Sequence, residues 1–329
     1  MKDVAGIAER AIAAHIFPGC VVGIRHAREK FLGAFGRHTF EADSPAVAEG
    51  TVYDIASVTK SVVLATLAHQ LLASKQISLT TKLIEYVPEF RGGYREDIMV
   101  RHLLTYTIGG LRMSELKEKH ADEIMKTVLT FEPLHPPGEK FEYSNVPAFL
   151  LGLVLERILG PLDAAADTRI FRPLEMPATT FFPTNAAPTE IDYRGLVQNV
   201  VHDESAYVFR TAGKTVGHAG LFSNVPDLMT FLDAFHMRRM DPTLAETNQI
   251  PSLGLFAGLG WELNQGHFMG AQRSPTTFGK TGFTGCSVVC DTKREISVVI
   301  LSNRTFPRRP ADMSAINAFR SAVCDIVFS

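Results

Sequence analysis

Apolar residues gather into short runs near the two ends of the chain and into longer, helix-length stretches between them. Cys20-Val-Val-Gly-Ile24 and Phe31-Leu-Gly-Ala-Phe35 are separated by the polar turn His26 to Glu29, the pattern of a β-hairpin. Near the other end, Cys286 to Cys290 and Ile296 to Leu301 flank the polar turn Asp291 to Glu295, and a helix-like stretch, Ala311 to Val327, follows. Ser57 to Ala73 is apolar nearly all round, through Val62, Val63, Leu64, Leu67, Ala68, Leu71 and Leu72, which predicts a buried helix. Pro147 to Leu159 has proline in its first turn and stops at Gly160, as the rules for helix ends require.

Strands at both termini with helices between them predict an α+β fold. One antiparallel sheet is built from both chain ends and flanked by helices, with a mostly helical insert. Residues 1–55 and 255–329 are expected to form the sheet-containing lobe and residues 56–254 the mainly helical lobe. The active site is expected in the cleft between them. No internal repeat or low-complexity linker interrupts the pattern.

Composition narrows the function. The 329 residues are 46% hydrophobic, enough for a well-buried core. Thirty-three basic against 35 acidic side chains leave a formal charge of −2, so no electrostatic footprint for nucleic acid or an acidic membrane is present. No run approaches the roughly 20 apolar residues of a spanning helix. Residues 1–17 are charged throughout and lack a secretory apolar core, so the chain as written reads as cytoplasmic. A leader removed ahead of Met1 would make it periplasmic instead.

Cys20, Cys286, Cys290 and Cys324 lack zinc-type spacing, and Cys286 and Cys290 stand too far apart along one strand for a disulfide. They read as buried thiols. The eleven histidines form no H-E-x-x-H or ligand cluster, so neither a metal nor another cofactor is expected.

Three motifs carry candidate chemistry. Ser57-Val-Thr-Lys60 opens the buried helix, where residues i and i+3 share a face and the amine can reach the hydroxyl. Serine needs a neighbouring base, and lysine serves as one only if burial or nearby cations lower its pKa. Ser114-Glu-Leu-Lys117 has the same spacing in a charged, solvated setting, so spacing alone decides nothing. An ordinary helix N-cap remains an alternative for Ser57.

Tyr143-Ser-Asn145 is the second motif. A phenol near two ammonium groups can relay protons, and the Asn145 amide can fix the lysine or a substrate carbonyl. Core packing for Tyr143 and capping for Asn145 remain alternatives. The third is Lys280-Thr281-Gly282, followed by Phe283. On a strand at the cleft edge, Lys280 and Thr281 can grip a substrate carboxylate, and Gly282 lets substrate approach the backbone. A phosphate loop is excluded, since that pattern needs glycine where Ser274 stands and a helix where a strand follows.

The motifs occur in the order S-x-x-K, Y-x-N, K-T-G, and the first and last are signatures of β-lactamases and penicillin-binding proteins. The chain resembles class C β-lactamase-related proteins, a group that also holds D,D-peptidases and carboxylesterases. Phe17-Pro-Gly19, Tyr53-Asp-Ile-Ala56, Arg101-His-Leu-Leu-Thr105, Pro137-Gly138, Gly217-His-Ala-Gly-Leu-Phe-Ser223, Gly258-Leu-Gly-Trp261 and Leu301-Ser-Asn-Arg304 extend the likeness over most of the chain. It departs from the group at Tyr106-Thr-Ile108, where histidine, threonine and serine are usual.

The resemblance implies a β-lactamase/transpeptidase-like fold. It also implies that Ser57 is acylated, that Lys60 and Tyr143 share the base role, and that the backbone N–H groups of Ser57 and Phe283 hold the oxyanion. His202 and His218 fall in family-like phrases and read as structural hydrogen-bonders. The expected substrate is a small molecule. A β-lactam amide stands first because Lys280 suits a carboxylate, a short-chain ester second and a D-amino-acid peptide third. A non-catalytic binding module on the same fold is the alternative of another class.

Overall fold

The computed structural model describes residues 2–116 and 119–329. The two terminal hairpins form as the hydrophobic pattern predicts. Strands β1 (Gly19–His26) and β2 (Glu29–Gly36) make the first, and β3 (Tyr53–Asp54) leads into the Ser57 helix. A ribbon of β4 (Glu190–Asp192) and β5 (Gly195–Val197) and a short strand β6 (Phe222–Ser223) lie in the middle of the chain. Strands β7 (Ala257–Gly258), β8 (Trp261–Leu263), β9 (Phe278–Thr281), β10 (Ser287–Asp291) and β11 (Ile296–Ser302) follow. Seven of these form one sheet in the order β2-β1-β11-β10-β9-β8-β7, antiparallel throughout, so β1 and β11, from the two ends of the chain, lie side by side within it.

The central strands are apolar on both faces because both faces are covered. Cys20, Val22, Ile24, Val289, Val298 and Ile300 pack beneath the terminal helices Lys2–Ala13 and Ser314–Phe328. Alternate residues Val21, Val288, Cys290, Val299 and Leu301 point into the larger core shared with the helical segments. Fully burying one such side chain contributes roughly 1.5–3 kcal/mol, and this two-sided burial fixes the register against slippage. The C-terminal helix begins at Ser314 rather than Ala311, because the Asp312 carboxylate accepts the Ser314 backbone N–H at 2.7 Å and terminates the preceding loop.

The buried Ser57 helix departs from regular α geometry. Lys60–Ala65 is a π-helical turn, and the longer α-helical stretch is Thr66–Ala73. Such turns rarely persist without a functional or packing reason. The four cysteines are free and buried. No helix among the described residues is long and apolar enough to cross a membrane.

Candidate active site

Ser57 sits at the last bend before its helix, directly after Ala56, whose φ of +46° is unusual for a residue with a side chain. That bend is held by Asp54, which the motif search missed. One carboxylate oxygen accepts the Ala56 N–H and the other the His202 N–H, both at 2.8 Å. Burial, only partly offset by those two bonds, raises the Asp54 pKa to about 6.

Lys60 lies one turn on and is 1% exposed. Its Nζ donates to Ser57 Oγ at 2.8 Å and to the His218 carbonyl at 2.6 Å. Burial lowers its pKa, and the positive charge of Lys280 adds to this, outweighing the attraction of Tyr143 and Asp203.

Tyr143 opens to the cleft, 44% exposed, with its ring centroid 5.7 Å from Lys60 Nζ and 4.3 Å from Lys280 Nζ. Desolvation would raise the phenol's pKa, but Lys280 first and then Lys60 more than reverse it, so the net shift is downward. The three motifs therefore converge around one cleft.

Asn145 is the first residue of its helix, Asn145–Leu159. It neither caps that helix nor, among the described residues, bonds Lys60. Its Nδ2 donates instead to Asp203 Oδ2 at 3.1 Å. Asp203 also caps the helix Glu204–Thr211 through the Ala206 N–H and accepts from the Ser205 hydroxyl, while His218 Nε2 lies 3.4 Å away. His218 hydrogen-bonds through Nε2, 3.0 Å from Ser205 Oγ, while its Nδ1 is buried without a partner among the described residues. The two ring nitrogens of His202 are buried without a hydrogen-bond partner among the described residues, so the hydrogen-bonding expected of that ring is not seen.

Lys280 differs most from expectation. It is 1% exposed and its Nζ donates to Glu262 Oε1 at 2.6 Å, so the ammonium is already paired and is no open grip for a carboxylate. Burial opposes its charge, but Glu262, then Tyr143 and Tyr106, outweigh it and raise its pKa well above the ordinary lysine value. Thr281 and Gly282 line the cleft beside Ser57. Gly282 is glycine for a reason internal to the chain: a Cβ there would collide with the Ile55 carbonyl oxygen and crowd Ala56. The close approach that requires glycine is to the serine's own turn.

The backbone N–H groups of Ser57 and Phe283 have no partner among the described residues. The strand end bearing Phe283 is fixed from behind. Arg304 Nε donates to the Phe283 carbonyl at 2.9 Å, and Arg320, fully buried, donates to the Gly282 and Cys286 carbonyls at 2.9 and 2.7 Å. Tyr106, at the position of departure from the group, is a buried wall with φ of +55°, its ring 5.0 Å from that of Tyr143. Ser114 lies exposed on a separate turn, and its partner in spacing, Lys117, falls outside the described residues.

The family model described as Beta-lactamase matches residues 4–321. The chain belongs to the Beta-lactamase family. Within this family of serine hydrolases, two curated proteins named "Putative D-alanyl-D-alanine carboxypeptidase" are similar to it. That from Escherichia coli (strain K12) is 29% identical over 307 residues, covering 78% of this chain and 69% of the relative. That from Salmonella agona (strain SL483) is 28% identical over 320 residues, covering 81% and 72%. Among solved structures, "EstCE1, a hydrolase with promiscuous acyltransferase activity" superposes with a TM-score of 0.80 at 19% identity, covering 100% of this chain and 98% of that one. At that identity the superposition establishes the Beta-lactamase-family fold alone.

Proposed function

We propose that this protein hydrolyses small acyl substrates through a covalent ester on Ser57, and that carboxylic esters are the substrate class its cleft favours. The observation that carries the reading is the 2.8 Å contact between Ser57 Oγ and a buried Lys60 Nζ whose pKa is lowered. When Lys60 gives up a proton, the contact reverses and the hydroxyl donates to the amine. The remaining Lys60 N–H groups keep the amine anchored to the His218 carbonyl.

Ser57 Oγ attacks the substrate carbonyl carbon, and its proton passes to ionised Tyr143, directly or through Lys60. Negative charge collects on the carbonyl oxygen, which the Ser57 and Phe283 N–H groups receive. One such preorganised donor is commonly worth about 3–4 kcal/mol of barrier. The bond to the leaving alcohol breaks as Tyr143 returns a proton to it. Water then attacks the acyl-enzyme, giving its proton to Tyr143, and Ser57 is released with its hydrogen restored. Lys280, kept charged by Glu262, stabilises the Tyr143 phenolate in both half-reactions.

Esters move ahead of β-lactams because the argument for a carboxylate-bearing substrate rested on Lys280, whose ammonium is buried and paired. A second reading, hydrolysis of a D-alanyl-D-alanine type of peptide, is favoured by the names of the two curated relatives. Intact-mass spectrometry tests the set. Turnover of 4-nitrophenyl butyrate without a penicillin adduct supports the esterase, a stable penicillin adduct the peptidase, and a transient one a β-lactamase. Absence of any adduct or turnover, with unchanged protein in every incubation, leaves a binding module and ends the proposal.

A further inference from the structure

Two arginines are buried among the described residues, Arg320 at 0% and Arg304 at 3% exposure, and both bond the strand end that bears Phe283. Neither pairs with a carboxylate among the described residues. Arg304 donates to the Phe283 and Asp312 carbonyls. Arg320, on the C-terminal helix, donates to Asn317 Oδ1 at 2.8 Å and to the Gly282 and Cys286 carbonyls, while its Nε has no partner among the described residues. Each of these acceptors is neutral. Burial first, with Arg304 adding to it, lowers the Arg320 pKa to about 10, so at neutral pH the group remains a cation. A buried charge held only by neutral groups is costly to a fold.

The hairpin turn supplies its own bonds to the same carbonyls. The Gly282 N–H donates to the Cys286 carbonyl at 2.7 Å, and the Gly285 N–H to the Gly282 carbonyl at 3.1 Å. What Arg320 adds lies in the peptide group it holds. The Gly282 carbonyl and the Phe283 N–H belong to one trans peptide, so they point in opposite directions. A guanidinium on the oxygen side therefore aims the N–H away from the helix, at the cavity that Phe283 and Ser57 line together. It also polarises the peptide, which makes the N–H a stronger donor.

We propose that Arg320 is a positioning residue of the oxyanion hole, acting through the Gly282–Phe283 peptide, and that the anionic transition state is the counter-charge the resting site lacks. The proposal rests on the Ser57 reading, which puts the developing oxyanion at the Phe283 N–H. Guanidinium and oxyanion then lie roughly 8 Å apart across one peptide. At that separation in a largely buried site, their attraction supports a rate effect of about ten- to thirtyfold. The attraction arises only in the transition state, so it belongs in kcat rather than in KM.

The test compares Arg320→Met, neutral and of similar length, with wild type on 4-nitrophenyl butyrate. Active sites are counted by stoichiometric phosphorylation with diethyl 4-nitrophenyl phosphate, which corrects for any misfolded fraction. Per active site, kcat should fall about ten- to thirtyfold while KM stays within about threefold. Inhibition by butylboronic acid, whose tetrahedral adduct on Ser57 places a negative oxygen in the same position, should weaken by a matching factor. A merely structural role, corrected for active sites, would move neither. If Arg320→Met does not fold, Arg320→Gln, which keeps a neutral donor, is read by the same thresholds.

A kcat per active site within about threefold of wild type, or a loss of kcat that boronic acid binding does not follow, overturns the proposal and leaves Arg320 a staple of the hairpin. If wild type neither turns over the ester nor forms a phosphoryl adduct on Ser57, the Ser57 reading fails first and takes the proposal with it.

Discussion

The two lysines that face Tyr143 are buried to the same degree, yet the protein treats them oppositely. Lys60, on the helix side, has a hydroxyl and a carbonyl as partners and, among the described residues, no carboxylate within bonding distance, and its pKa falls. Lys280, on the strand side, has Glu262 at 2.6 Å, and its pKa rises. Burial alone pushes both downward, so the difference is made by one carboxylate. It separates a group able to exchange a proton from a group held as a fixed positive charge. Tyr143, between them, takes its lowered pKa from both.

Removing the helix-side pair is the strongest way to break this comparison. Ser57→Ala should reduce ester turnover by at least about 10³-fold, since the nucleophile is lost while the oxyanion donors remain. Lys60→Arg should lose nearly as much, because guanidinium keeps the charge but does not deprotonate. Retained turnover in a stopped-flow assay of Lys60→Arg would mean that Lys60 is only an electrostatic anchor.

On the strand side, the largest effect should be on stability. Glu262→Gln leaves Lys280 buried without its counter-charge, and removing one partner of a buried pair costs about 3–5 kcal/mol. Glu262 is partly open to solvent, so the lower end is expected, a fall in Tm of roughly 4–6 °C by calorimetry. A Tm unchanged within a degree would show that Lys280 does not depend on Glu262.

Gly282→Ala probes the junction between the two sides. Its Cβ would push the Phe283 strand end away from the Ser57 turn, and a shift near 1 Å costs about 10²-fold in rate. Steady-state kinetics should report this mainly in kcat.

The pH profile sharpens the comparison with a smaller effect. Lys60 and Tyr143 both have folded pKa values below those of the free groups, so kcat/KM should rise with pH along a limb that lies below the ordinary lysine and phenol range. Lys280 contributes nothing to that limb. Because Glu262 both opposes ionisation of Tyr143 and holds Lys280 charged, Glu262→Gln should displace the limb, and an unchanged profile would show that Lys280 keeps its charge without Glu262. Ser114→Ala, which alters the copy of the spacing on an exposed turn, should leave rate and Tm unchanged.

Much of this was legible along the chain, for local reasons. The hairpins follow from apolar runs around polar turns, and the Ser57 helix from its all-round apolar character. The three motifs follow from residue type and spacing that bring a hydroxyl, amines and a phenol into play. What was hidden depends on residues far apart in sequence. Glu262 sits in a Trp-Glu-Leu strand that reads as an ordinary edge until β8 pairs with β9 and places it against Lys280. The Gly-Leu-Gly-Trp phrase just before it was the only signal nearby.

By itself the sequence determined which chemical groups are present, the strands and helices that carry them, and the family to which the chain belongs, because those depend on local pattern and motif order. Only the tertiary structure decided the charge state in which each group is held. Desolvation and Coulomb interaction act across space, so the same lysine is a base beside a carbonyl and a fixed cation beside a carboxylate. The same holds for His202, whose missing partners and acidic surroundings arise only when β4, the Asp203 turn and the loop bearing Arg309 meet at one end of the cleft.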